Sequence, residues 1–150
     1  MSSRASAHSG PELRLAEEGD APFLTGLRNR LADNFLSPEP ATLLKTRWMI
    51  AAGHSQTYIL EVDGQRVGAF SLYGWESGAA SVEFGRFMLE PAVRGNGYGR
   101  IMLDHAIEKA REMGARTLRL VTKPGNVPAR DLYEAAGFHV TKLSMELTLD

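Results

Sequence analysis

Arg94-Gly95-Asn96-Gly97-Tyr98-Gly99 lies between a strand-like run, Ser81 to Leu89, and a helical run from about Gly99 to Met113. Its three alternate glycines leave a turn with little side-chain bulk, so backbone N–H groups can close around a ligand. The helix that follows brings the positive end of its dipole to the same place. Strand, glycine turn and helix N-terminus together make an anion site suited to a phosphate or pyrophosphate.

The spacing argues against two familiar phosphate cradles. A dinucleotide-binding turn reads G-x-G-x-x-G, but Arg100 stands where the third glycine should fall, and Thr117 to Leu120 lacks the acid expected further on. A P-loop needs Gly-Lys-Ser/Thr, which is absent here. A plain glycine turn stays compatible with this segment taken alone.

Working outward, Glu12 to Ala16 alternates like a first strand. Asp20 is placed to N-cap a helix that carries Pro22 in its first turn and runs to about Arg30, with Phe23, Leu24, Leu27 and Leu31 at helical spacing. A second helix is expected from Ala41 to Ala52, closed by Gly53. Gln56 to Val62 and Arg66 to Leu72 read as strands joined at Asp63-Gly64, a strong hairpin signal. Ser77 to Ala79 reads as a turn. After the glycine loop, Leu103, Ala106, Ile107 and Ala110 form the apolar stripe of a helix that Gly114 ends. Thr117 to Thr122 reads as a strand, Pro128 to Ala136 as a short helix closed by Gly137, and Val140 to Leu149 as a last strand. The order β-α-α-β-β-β-α-β-α-β predicts an α/β (α+β) fold. Its mixed sheet is antiparallel at the start and parallel around the glycine loop, with helices on both faces.

The 150 residues suit one domain, 12–150, behind a Ser- and Ala-rich segment, 1–11, read as a disordered leader. Net charge is −1 with no basic block, so no nucleic-acid surface is signalled. The absence of cysteine removes disulfides, thiolate metal sites and a cysteine nucleophile, and no metal is expected. No apolar run approaches a membrane span, and the N-terminal segment has no secretory h-region, so a cytoplasmic protein is the default.

Some thirty residues beyond the loop the chain reads Asn126-Val127-Pro128-Ala129-Arg130-Asp131-Leu132-Tyr133-Glu134-Ala135-Ala136-Gly137-Phe138. The two segments together resemble the GNAT family of N-acetyltransferases. Its signature R/Q-x-x-G-x-G/A is matched by Arg94, Gly97 and Gly99. The later N-x-x-A-x-x-x-Y-x-x-x-G-F is matched by Asn126, Ala129, Tyr133, Gly137 and Phe138. The element order agrees with that fold over nearly the whole chain.

The resemblance implies acetyl-CoA as acyl donor, lying where Ser81–Leu89 and Thr117–Thr122 splay apart. It implies that backbone groups of Phe87, Met88 and Leu89 bind the pantetheine arm. Pyrophosphate would rest on N–H groups from Arg94 through Gly95, Asn96, Gly97, Tyr98 and Gly99 to Arg100, with Asn126 also at the cofactor. Both arginines can add charge-assisted contacts; solvated surface arginines are the alternative. Tyr133 matches the family tyrosine that protonates, or hydrogen-bonds, the departing sulfur; a core aromatic is the plainer alternative. Glu83 sits where some family members carry a catalytic glutamate and is the first choice of general base, directly or through water. The plainer reading is an exposed residue or an ion pair with Arg86. Glu76, His139 and His54 are weaker choices.

For the acceptor, the resemblance implies a cleft built from the first two helices and nearby strand ends, with Arg28, Asn29, Trp48, Tyr73 and Trp75 as the candidate residues. No marked acidic cluster favours a polycation, so a small primary amine, an amino sugar or amino acid, is expected. A protein N-terminus or lysine is one alternative, and a non-catalytic acyl-CoA sensor is another. The last strand is a free-edge candidate for a homodimer contact.

Overall fold

Asp63 and Gly64 both take positive φ, 53° and 80°, as the two central residues of a tight hairpin turn require. They join β2, Ser55–Val62, to β3, Gln65–Tyr73. The computed structural model describes residues 10–37, 39–75 and 80–149. Residues 1–9 of the expected leader, the Ser77–Ala79 turn and Glu76 lie outside the described residues, and Pro11 already belongs to β1, Pro11–Leu15.

Five strands form one sheet in the order β1-β2-β3-β4-β5, where β4 is Ser81–Leu89 and β5 is Thr117–Arg119. The first three pairings are antiparallel and the fourth is parallel. Helices α1, Ala21–Arg30, and α2, Leu43–Ala51, cover one face through Leu24, Leu27, Ile59, Ala69 and Met88. Helices α3, Tyr98–Glu112, and α4, Val127–Ala135, cover the other. There Met102, Leu103, Ala106 and Ala110 pack on Leu60, Phe70, Leu72, Val82 and Phe84. Each of the larger of these side chains (Leu, Met, Val, Phe) stabilises the fold by roughly 1.5–3 kcal/mol on full burial. The expected helices and hairpin are present, and Gly114 and Gly137 end α3 and α4 at φ 83° and 105°.

Three expectations need correction. Asp20 does not cap α1 with its side chain. Its carboxylate accepts from Glu17 N at 2.7 Å, from Arg14 at 2.8 and 2.9 Å and from Arg66 at 3.2 Å, because strands β1 and β3 deliver two guanidinium groups to it. The second helix begins at Leu43, where Thr42 Oγ1 accepts from Lys45 N at 3.2 Å, and it ends when Ala52 turns extended, without a left-handed Gly53. Val140–Leu149 is not a strand. It pairs with nothing in the sheet, and Leu143, Met145, Leu147 and Leu149 are all more than 80% exposed. Alternation supplies an apolar side, but a strand also needs a ladder partner for its backbone, and the three-residue β5 forms a ladder only with β4.

Candidate active site

The parallel pair β4–β5 is pinned at its start and open at its end. Arg116 N donates to Ala80 O at 2.7 Å, and Thr117 Oγ1 donates to Ser81 Oγ at 2.9 Å. Pairing then runs Ser81 with Thr117, Val82 with Leu118 and Glu83 with Arg119, and stops. Residues 84–89 of β4 continue without a β5 partner, so the predicted splay is present and its mouth faces the C-terminal ends of both strands. Beyond that mouth, Lys123 Nζ donates to Asp33 O at 2.7 Å and ties the loop after β5 to the turn after α1.

A bulge in β4 decides which side chain faces which side. Ser71 pairs with Gly85 and Ala69 with Met88, so β4 spends one residue more than β3 over this span. Arg86 absorbs it at φ 50°, a left-handed conformation uncommon outside glycine. Phe87 is thereby turned to the α3/α4 face, beside Phe84 with ring centroids 5.2 Å apart and Tyr133 at 6.3 Å. Arg86 is turned to the α1/α2 face, where its Nε donates to Ser71 Oγ at 3.1 Å and its guanidinium lies 4.9 Å from the Tyr73 ring centre.

Tyr133 is buried on α4 among Phe84, Phe87 and Phe138. Burial pushes its phenol up to about 12, so it is a protonated donor throughout the neutral range. Glu83 lies on the α1/α2 face, 40% exposed, with its carboxylate 3.7 Å from Arg119 Nη2; that, and not Arg86, is its cation. Solvent therefore reaches the carboxylate, and the partner sits across the splaying pair.

The glycine loop follows a turn at Pro91–Val93. Gly95 and Gly97 stand at φ 85° and 81°, and Gly97 opens α3 without any side-chain cap. The first N–H groups of a helix have no intrahelical acceptor, so this turn presents donors and a positive dipole end to an anion. A Cβ at either glycine would meet open space; the requirement is the backbone angle. Asn96 Nδ2 braces the loop through Val93 O at 2.8 Å. Arg94 donates to Leu89 O at 3.3 and 3.2 Å, and Arg100 pairs with Asp104 at 2.9 Å. Both guanidinium groups flank the loop, and Leu89 O, an expected pantetheine contact, is taken by Arg94. Asn126 precedes α4 and makes no side-chain cap. Loop, splay and buried donor fit a pyrophosphate-bearing thioester, which residues 94–100 and the free edge of β4 would hold.

The acceptor residues divide. Arg28 donates to Ser37 O and Glu39 O at 3.0 and 3.2 Å and lies 4.0 Å over Phe35, while Asn29 exchanges bonds with Ala41 O and N at 3.1 and 2.8 Å. Both clasp the segment between α1 and α2. Trp48 is 64% exposed beside His54, and Tyr73 lies with Arg86. Trp75 packs against the α3/α4 core instead. Arg86, which the sequence offered only as an ion-pair partner for Glu83, instead lies on the same face of β4 as Glu83 and binds Ser71; a charged residue directly after Gly85 in an apolar strand is its one signal.

The profile of the acetyltransferase (GNAT) family matches residues 24–138, and the chain belongs to that family of acyltransferases. A mycothiol acetyltransferase of Propionibacterium freudenreichii subsp. shermanii is 26% identical over 113 residues, which cover 75% of this chain and 32% of that protein. The chain thus spans about a third of that relative's length. Among solved structures, yncA from Salmonella typhimurium, assigned as an acetyltransferase and holding acetyl-CoA, superposes with a TM-score of 0.80 at 22% identity, over 89% of this chain and 82% of its own. A ribosomal-protein-alanine N-acetyltransferase from Brucella melitensis biovar Abortus 2308 gives 0.75 at 18% identity, over 93% and 99%. At these identities the two structures share the fold.

Proposed function

We propose that this chain is an N-acetyltransferase of the cytoplasm, one domain that moves the acetyl group of acetyl-CoA to a primary amine of a small molecule within a ternary complex. The observation that carries the reading is the placement of Glu83 and Tyr133 on opposite faces of the same splayed strand. A carboxylate on the acceptor side and a phenol on the other match the two proton demands of aminolysis.

In the reaction the amine nitrogen bonds to the acetyl carbon and the carbon–sulfur bond breaks. Glu83, directly or through water, takes the proton the nitrogen must lose. Tyr133 gives a hydrogen bond to the departing sulfur. Burial holds the phenol above the range of an ordinary thiol, so complete transfer of its proton to the thiolate is uphill. Its role is therefore donor to the developing thiolate, which takes its final proton from solvent or from the pool released by the amine. With no cysteine in the chain, attack on the thioester itself is the direct route.

A thiol-release assay over a panel of amines, with acetyl-CoA as donor, tests the reading. Turnover with small amines, lost in Glu83→Gln while acetyl-CoA still binds, is the expected result. Acetylation of peptides alone would favour the protein-acceptor alternative, and tight acetyl-CoA binding without any turnover the sensor. The homodimer belongs to this proposal as well: the exposed apolar side chains of residues 140–149 favour self-association, which sedimentation of the full chain reads directly.

A further inference from the structure

Arg86 is a part-buried cation on the acceptor side of β4. Arg14, Arg30, Arg66, Arg100 and Arg119 each pair with a carboxylate. Arg28, Arg94 and Arg130 donate to carbonyl oxygens. Arg86 does neither among the described residues: its Nε reaches one hydroxyl, Ser71 Oγ, which in turn shares a 2.7 Å hydrogen bond with Thr57 Oγ1. Ser71 and Thr57 are themselves buried, so this relay holds the guanidinium in place without neutralising it.

The chain gives up stability to put it there. A non-glycine residue at φ 50° is held in a strained, sparsely populated conformation. Burial also pulls its pKa below the ordinary arginine value, which marks an unfavourable setting for a charge. Its neighbour Gly85 must be glycine for the same arrangement, since a Cβ there would run into the Tyr73 ring on which the guanidinium lies. In a regular strand, residues 83 and 86 point to opposite faces. The bulge puts Arg86 on the Glu83 side, so that base and cation border one acceptor space.

We infer that the terminal NH2 groups of Arg86 bind a carboxylate of the acceptor, which makes the acceptor an amino acid or another amine bearing a carboxylate. The planar fork of a guanidinium matches a carboxylate through two parallel bonds, and the pair compensates the desolvation that no carboxylate among the described residues offsets for Arg86. Tyr73 supplies the flat wall behind it.

This inference rests on the N-acetyltransferase reading, and the test separates the two. Thiol release by the full chain is measured with saturating acetyl-CoA over L-amino acids and their carboxamides, which keep the amine and lose the anion. Wild type is expected to prefer the acid over the amide by about 10- to 100-fold in kcat/KM, the size of a charge-assisted pair. Arg86→Lys should raise KM for the acid with kcat largely kept. Arg86→Gly, at ease at positive φ and therefore expected to fold, should erase the acid–amide ratio while acetyl-CoA binding stays. Equal turnover of acid and amide by wild type, or an Arg86→Gly protein that loses both equally, overturns the carboxylate inference alone. Acetyl-CoA binding with no amine turned over would remove the enzyme reading and this inference with it.

Discussion

Phe84 and Phe87 stand three positions apart on one strand, yet their rings lie on the same side of the sheet with centroids 5.2 Å apart. A regular strand would set them on opposite faces. The extra residue between Gly85 and Met88 makes the difference. It lines the splay with Phe87 and Tyr133 on one side and Arg86 and Glu83 on the other.

Gly85→Ala should disturb that bulge. Its methyl would collide with the Tyr73 ring, and overpacking of this kind costs about 1–3 kcal/mol. Thermal unfolding should show a lowered Tm, and Tyr73→Ala in the same chain should recover most of it. A Gly85→Ala protein as stable as wild type would contradict the packing described.

Gly97 and Gly99 are predicted to differ although both belong to the loop. Gly97→Ala forces a left-handed alanine, costing roughly 1–2 kcal/mol, and should weaken acetyl-CoA binding about tenfold or lower stability by that amount. A Cβ at Gly99 would sit 3.4 Å from Leu132 and 3.5 Å from Phe87, ordinary contacts, so Gly99→Ala should fold normally. Calorimetric titration with acetyl-CoA and thermal unfolding distinguish the pair.

Tyr133→Phe keeps the ring packing and removes the donor. Stability and acetyl-CoA affinity should change little, while kcat falls by at least about 10²-fold. With the phenol near 12, wild type should show no alkaline loss of rate from this group below about pH 11. A fully active Tyr133→Phe enzyme would end the donor role.

One buried and one half-buried group shape the acid stability. Hydrogen bonds from Arg14 hold Asp20 down at about 2 from the ordinary 3.8, so the folded state binds its proton less readily than the unfolded chain. That stabilisation, about 2 kcal/mol, is full above pH 4 and is lost as pH falls towards 2. Desolvation likewise lowers His105, whose Nε2 has no hydrogen-bond partner among the described residues and whose ring packs edge-on to Tyr58. The unfolded chain takes up that proton near 6.5, so stability falls as pH drops below this value and is level above it. Urea unfolding between pH 8 and 3 should show both slopes. Asp20→Asn should remove the lower one and His105→Phe the upper.

Much of the fold was legible because it is written locally. Asp63-Gly64, the stripe of α3 and the glycines that end α3 and α4 each act within a few residues, and the structure has them where the spacing places them. Asp20 was misread because a cap is also a local expectation, whereas its real partners Arg14 and Arg66 arrive from two strands of the sheet. Val140–Leu149 was misread for the same reason: alternation describes one strand, but a ladder takes two.

The sequence by itself determined the family and put forward the glycine loop as the proposed donor site, since Arg94 to Gly99 and Asn126 to Phe138 carry their meaning in residue type and spacing. Tertiary structure alone decided which side of β4 each later residue faces. That depends on a register shift against β3, and hydrogen bonds between strands far apart in sequence fix a register that no local pattern specifies. So the glycine loop can be read from the chain, and only the folded sheet puts Arg86 on the same face as Glu83.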